Sequence, residues 1–208
     1  RGNIEYAYYL MALDVGIEMM TSDLLVEGNR SHFITKRFDR VANDKRHTQT
    51  LCSLAHYDYK QSGQYSYEQA YRVMLRLNLP AHDTQQLFRR AVFNVMSRNQ
   101  DDHTKNLGFV MDQNGTWRLS PGYDIGYAFN PTGRWTSIHQ MTLNGKRDEF
   151  TKKDLVEFAE FISYKKANED IDRIQDVLDN WRKYANETRA LPDHVAKIPS
   201  AFRNLGRN

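Results

Sequence analysis

A single cysteine, Cys52, is all the thiol that this 208-residue chain carries. No internal disulfide framework can therefore hold it together, and a reducing compartment is the expectation, with Cys52 an ordinary packed thiol. No apolar run approaches the ~20 residues needed to cross a bilayer. The opening Arg1-Gly2-Asn3-Ile4-Glu5 lacks the charged-then-apolar pattern of a secretory signal. Together these absences place the chain in the cytoplasm, with no membrane partner. An initiator methionine is also missing, and a helix-like run begins at Ile4, which points to a piece of a longer polypeptide. Nor is there a gathered basic run: 29 lysines and arginines face 26 acidic residues, and the net charge of +3 is scattered. Direct nucleic-acid binding is accordingly not expected.

What is present is ordinary globular material, 40% hydrophobic and 26% charged, enough for one sizeable core or two small ones. Internal repeats and low-complexity linkers are absent. Residues 5–13 read as a helix stopped near Gly16. The β-prone runs 23–27 and 32–38, split by Gly28-Asn29, read as a hairpin. Residues 48–59 are weakly helical, and 66–79 more clearly so, ending before Pro80. Asp83, with Gln86 three residues on, is placed to cap a helix that runs to about Arg98, with Phe88, Val92 and Val95 at helical spacing. A second hairpin, 107–111 with 116–119, turns at Asn114-Gly115, where positive φ is tolerated. Thr151 and Asp154 suit a capping box for a helix bearing Leu155, Phe158, Ala159 and Ile162. A longer helix over 168–187 aligns Ile171, Ile174, Leu178, Trp181 and Ala185 on one stripe. The fold class is mainly α with small β-hairpins.

Between the helix ending at Arg98 and the second hairpin lies Asn99-Gln100-Asp101-Asp102-His103-Thr104-Lys105-Asn106, four ionisable residues among amides and hydroxyls. A solvated turn has the same composition, since Asp and Asn favour turns. Spacing and context separate the two readings. A protein-kinase catalytic loop sets an aspartate that accepts the substrate hydroxyl proton five residues ahead of a magnesium-binding asparagine, and a short hairpin then leads to a second metal-binding aspartate. Asp101 and Asn106 stand five apart, the Asn-Gly hairpin follows, and Asp124 ends Leu119-Ser120-Pro121-Gly122-Tyr123-Asp124. Phosphoryl transfer depends on positioning and charge neutralisation, which calls for hard oxygen ligands beside a carboxylate aimed at the nucleophile.

The run Asp101-Asp102-His103-Thr104-Lys105-Asn106 resembles the Asp-x-His-x-Lys-Asn signature of HipA-type toxin serine/threonine kinases. Ser120-Pro121-Gly122-Tyr123-Asp124 resembles their second motif, and Arg37-Phe38-Asp39-Arg40 their hinge segment. The resemblance runs from the first hairpin to the middle of the chain; beyond residue 150 it adds no distinctive motif. It implies a protein-kinase-like carboxy-terminal lobe across 1–208, with the hinge-side hairpin in 1–40, the catalytic and metal-binding region in 41–150 and a helical tail in 151–208. It implies Asp101 as base, favoured over Asp102 because only Asp101 has the five-residue spacing, Asn106 and Asp124 as magnesium ligands, unless Asp124 merely caps a following segment, and Lys105 beside the transferred phosphate. His103 stands either near that phosphate or as a structural residue of the loop. Backbone atoms of Lys36 to Phe38 would meet adenine and Asp39 the ribose, unless Asp39 simply pairs with Arg37 or Arg40.

The implied cofactors are ATP and Mg²⁺. The implied partners are a protein substrate such as a translation factor or aminoacyl-tRNA synthetase, and a HipB-like DNA-binding antitoxin. The phosphate-covering loop and strand-borne lysine of a kinase have no counterpart ahead of the first helix, so an amino-terminal lobe is expected elsewhere, in the same or another chain, and this piece alone should transfer phosphate poorly. Two other classes compete. One is a catalytically incomplete lobe serving as a partner-binding module. The other is a metal-dependent hydrolase or nuclease built on Asp101, Asp102, His103 and Asp124.

Overall fold

The computed structural model describes residues 2–42 and 44–206; the extreme ends of the expected 1–208 domain lie outside them. The chain opens with helix α1 (Gly2–Asp14). An antiparallel ribbon follows, β1 (Ser22–Glu27) with β2 (Arg30–Thr35), in register from Ser22↔Thr35 to Glu27↔Arg30. Gly28 turns it at φ 58°, a region only glycine enters freely. The expected strand to residue 38 stops at Thr35, and Lys36 to Asp39 leave the ribbon as connecting chain. A two-residue pair, β3 (Arg40–Val41) with β4 (Asp44–Lys45), comes next.

The segment read as weakly helical over 48–59 divides instead. Residues His47–Thr50 form β5, and only Leu51–Leu54 are helical, as α2. Thr48 and Thr50 are β-branched and find an open ladder beside β6 (Gly108–Met111), so cross-strand pairing overrides the weak helical signal. Thr50 then caps α2 by accepting from the Ser53 amide at 3.2 Å. The second hairpin, β6 with β7 (Trp117–Leu119), is thus part of a three-stranded sheet in the order β5-β6-β7. Cys52 is half-buried, its thiol donating to the Tyr57 carbonyl at 3.0 Å.

Helix α3 (Tyr67–Arg76) starts with a reciprocal capping box between Ser66 and Gln69. Helix α4 (Ala81–Ser97) begins after Pro80, so Asp83 is not its cap. Buried at 1% exposure, Asp83 instead takes both ends of the Arg118 guanidinium and the Leu119 amide at 2.8 Å, fastening α4 to β7. Gln86 bridges the Gly16 carbonyl and the Glu18 amide. A tertiary partner has claimed both side chains that local spacing assigned to the cap of α4.

Helix α5 (Lys152–Phe161) keeps its expected start, with Asp154 accepting from the Thr151 amide at 2.7 Å. The expected 168–187 helix is two, α6 (Ala167–Asp179) and α7 (Trp181–Glu187), broken at Asn180 (φ −87°, ψ 15°). Helix α8 (Pro192–Lys197) and a 3-10 turn (Pro199–Ala201) finish the chain. The core lies around α4, whose Leu87, Phe88, Val92, Phe93 and Met96 are fully buried beside Tyr8, Phe158 and Trp181. No helix among the described residues is long and apolar enough to cross a membrane.

Candidate active site

Helix α4 delivers the chain to the polar loop through Arg98, whose left-handed conformation (φ 61°) terminates the helix. The loop is then pinned by its own side chains. Asn99 donates to Asn94 Oδ1 at 2.9 Å, Asn94 donates to Tyr67 Oη at 3.0 Å, and Tyr67 donates to Asp102 Oδ2 at 2.9 Å. From the other side the Gln140 amide donates to Asp102 Oδ1 at 2.8 Å, and His139 Nδ1 lies 2.9 Å from Oδ2. Arg203 Nη1 lies 3.0 Å from His139 Nε2. A guanidinium only donates, so Nε2 accepts and the ring proton sits on Nδ1, facing Asp102. Burial alone would raise the Asp102 carboxyl, but His139 and the bonds from Gln140 and Tyr67 outweigh it and hold the group below its ordinary value. Burial pushes the Tyr67 phenol far up, and the neighbouring Asp102 adds to the shift. Asp102 is thus a buried anchor for the loop.

Asp101 is its opposite. Its side chain is 47% exposed, and His103 Nε2 lies 3.9 Å from its Oδ1. A cavity of ≈ 670 Å³ opens beside it, lined by Asp101, Asn99, Tyr123, Asp124, Met19 and Phe33 among others. Asp124, exposed and in the left-handed region at φ 54°, makes no side-chain hydrogen bond or ion pair among the described residues. Aspartate is one of the few non-glycine residues that adopt this region readily. Asn106 Nδ2 donates to the Asp101 carbonyl at 2.9 Å, which leaves Oδ1 as its unused acceptor. The two motifs are fastened together where Tyr123 donates to the Lys105 carbonyl at 2.6 Å. Gly122 lies so close to the segment after α1 that an added Cβ would meet Met19 Sδ at 2.7 Å.

Asp124, Asn106 and His103 also line a smaller recess of ≈ 20 Å³ with Arg90. Arg90 is only 4% exposed. Its Nε and Nη2, and His103 Nδ1, are buried without a partner, and burial drags the guanidinium down to about 10. The recess therefore holds, beside Asp124, a buried guanidinium with two nitrogens that no hydrogen bond satisfies.

The remaining predicted residues sit around this centre. Lys105 does not line the cavity; its ammonium lies 3.4 Å from the Tyr59 ring centroid, and Tyr59 meets His103 edge-on at 5.8 Å. Phe38 stacks on Tyr123 at 5.5 Å, linking the hinge segment to the second motif. Lys36 and Phe38 line a separate recess of ≈ 220 Å³ with Met20, Arg40, Val110 and Pro121. Asp39 is held by Arg37 in a two-pronged pair at 2.7 and 2.6 Å, and that pairing lowers its carboxyl.

Among the described residues no three His, Cys, Asp or Glu side chains gather as a metal cage. The donor set of Asn106 Oδ1 and the Asp124 carboxylate fits Mg²⁺ nonetheless, because that ion is commonly held by one or two protein oxygens with substrate phosphates and water completing its shell. Tyr67, Arg90, His139 and Arg203 escaped the reading of the sequence. Tyr67, His139 and Arg203 lie far along the chain from the loop, Arg90 is two to three turns back on the helix that enters it, and no local spacing marks any of them.

Two solved structures share this architecture. The toxin HipA of Shewanella oneidensis MR-1, in complex with HipB and its operator DNA, superposes with a TM-score of 0.73 at 18% identity, covering 95% of this chain and 52% of that one. The proinflammatory kinase CtkA of Helicobacter pylori gives 0.56 at 13% identity, covering 97% and 84%. The chain spans about half the length of that HipA, and the likeness is one of kinase-like fold. The model of the HipA-like C-terminal domain matches residues 1–187. With nine-tenths of its length under that match, the chain belongs to the HipA-like C-terminal domain family.

Proposed function

We propose that this chain is the catalytic half of a HipA-type serine/threonine protein kinase, transferring the ATP γ-phosphate to a protein hydroxyl. One observation carries the reading: Asp101 and Asp124, twenty-three residues apart in sequence, line one cavity, while Asn106 is tied to the Asp101 carbonyl and shares a smaller recess with Asp124. Asp101, exposed and weakly engaged, is free to accept the proton of an incoming hydroxyl. Asn106 and Asp124 would hold Mg²⁺, which when bound neutralises charge on the transferring phosphate. Asp102, buried and saturated with donors, keeps the loop in register and takes no proton. The half-length match to HipA supports a second lobe that grips the nucleotide. The same relative's complex with HipB supports a small DNA-binding antitoxin as partner, with the cytoplasm as the place of action.

The test is γ-phosphate transfer to protein by the complete polypeptide, against its Asp101→Asn variant. Transfer is expected to fall by 10²–10⁴-fold, the range for removing a general base, with no loss of folding. An unchanged rate defeats the assignment. Metal-dependent cleavage of nucleic acid without ATP would replace it with hydrolase chemistry.

A further inference from the structure

Residues 198–206 run back across the domain as a strap, and they lie beyond the region matched by the family model. The strap is fastened along its length. The Arg203 amide donates to the Met96 carbonyl at 2.9 Å, the Leu205 amide to Gln175 Oε1 at 3.0 Å, and Lys152 Nζ reaches the Gly206 carbonyl at 2.9 Å. It touches both ends of the polar loop's support. Arg98, where α4 ends, donates from Nε to the Ala201 carbonyl at 2.8 Å. Arg203, at 8% exposure, reaches His139, the Val95 carbonyl and Asp148, with its guanidinium 5.2 Å from the Phe150 ring.

Asp102 is consequently the terminal acceptor of two relays that run in opposite directions along the chain. One comes from Asn99 through Asn94 and Tyr67. The other comes from Arg203 through His139. The second is the more demanding, because histidine has two neutral tautomers and only one of them donates to Asp102. With its proton on Nε2, the ring would turn a lone pair toward the carboxylate and a hydrogen toward the guanidinium, two repulsive contacts in a buried place. Arg203 forbids that arrangement.

We propose that Arg203 of the carboxy-terminal strap is a positioning residue for the Asp101 loop: it fixes His139 as the Nδ1–H tautomer, and His139 in turn holds Asp102 and thereby the backbone that aims Asp101 into the cavity. The consequence for catalysis rests on the kinase reading above; the tautomer and the loop geometry do not.

The experiment uses the whole polypeptide with Arg203→Met and Arg203→Lys. Two-bond ¹⁵N–¹H correlation of the imidazoles reads the tautomer, and amide exchange reads the Gln140 and Asn106 N–H groups. The wild type is expected to show His139 with hydrogen on Nδ1 and a bare Nε2. In Arg203→Met, Nε2 is expected to move toward the protonated range, with exchange at Gln140 and Asn106 rising at least tenfold while α6 amides hold. Arg203→Lys, still a donor without a lone pair, is expected to recover the Nδ1–H signature. A wild type with hydrogen on Nε2, or an Arg203→Met protein with an unchanged ring and unchanged exchange, overturns the proposal. So does a uniform rise in exchange across the whole domain, which marks Arg203 as mere packing. If Arg203→Met does not fold, His139→Asn takes its place: it keeps a donor toward Asp102 without needing Arg203, and is expected to protect the Gln140 amide better than His139→Ala does. Equal exchange in those two variants again overturns the proposal. In phosphoryl transfer Arg203→Met is expected to lower kcat about tenfold with nucleotide KM unchanged. Should Asp101→Asn leave transfer intact, the kinase reading fails while the tautomer result still decides the strap.

Discussion

Replacing each of two adjacent aspartates by asparagine should give opposite results, and the structure sets the size of each. Asp102 accepts from Gln140 N, Tyr67 Oη and His139 Nδ1, all in a buried place. In Asp102→Asn one oxygen survives to meet Gln140, but the new amide nitrogen confronts two donors. Tyr67 cannot simply turn, because Asn94 already donates to its oxygen, and His139 is held by Arg203. Two charge-assisted bonds are lost and their donors stay buried, at roughly 1.5–3 kcal/mol each. The expected loss is therefore about 3–6 kcal/mol, a large part of the roughly 5–15 kcal/mol that a domain possesses. At ~2–4 °C per kcal/mol for a chain of this size, Tm should fall by about 6–24 °C. Asp101→Asn gives up a single 3.9 Å contact at an exposed site, so its stability should stay within about 0.5 kcal/mol while transfer collapses.

Acid titration supplies a second readout. The Asp102 carboxyl is held below its ordinary value in the folded protein, so its contribution is fully present above the unfolded carboxyl's pKa of about 3.9 and is lost as pH falls through the lower folded value. The stability gap between wild type and Asp102→Asn should accordingly close only in strong acid. Urea unfolding with constant m is the assay. A loss below about 1 kcal/mol for Asp102→Asn, or an Asp101→Asn protein as unstable as Asp102→Asn, refutes the division of labour between them.

Other perturbations follow from the same contacts. Asp83→Ala removes the anchor between α4 and β7, yet Arg118 is 47% exposed and can return to water; the expected cost is about 2 kcal/mol by urea unfolding, and a change below about 0.5 kcal/mol shows the pair to be idle. Arg90→Met exchanges a buried guanidinium with two unsatisfied nitrogens for an apolar chain of similar length, so Tm should hold or rise while transfer falls, as happens where a site is kept at the expense of stability. A protein destabilised by more than about 2 kcal/mol would mean that Arg90 has a structural partner instead.

The extent to which this molecule was legible in its sequence follows the distance over which each residue finds its partner. Helices α1, α3 and α5 and the two glycine-turned hairpins were readable because their determinants lie within four or five residues: Ser66 with Gln69, Thr151 with Asp154, Gly28 at positive φ. The Asp-to-Asn spacing of the loop was readable for the same reason, and Asn106 does close back on the Asp101 carbonyl. Where a side chain answered to something distant, local rules misled. Asp83 had the spacing of a cap but meets Arg118, thirty-five residues on; Thr48 and Thr50 sat in a helical pattern until β6 offered them a ladder.

The division of labour between Asp101 and Asp102 belongs to the same class. The five-residue spacing favoured Asp101, and its physical basis is that Tyr67, Gln140 and His139 converge on one carboxylate of the pair and leave the other free. A base must be poorly satisfied in the resting protein if it is to accept a proton, and it must also be held still. On the kinase reading, adjacent residues meet both demands at once: the saturated aspartate is buried where the two relays end, and its neighbour, fixed through a single peptide unit, lines the cavity with its carboxylate half exposed.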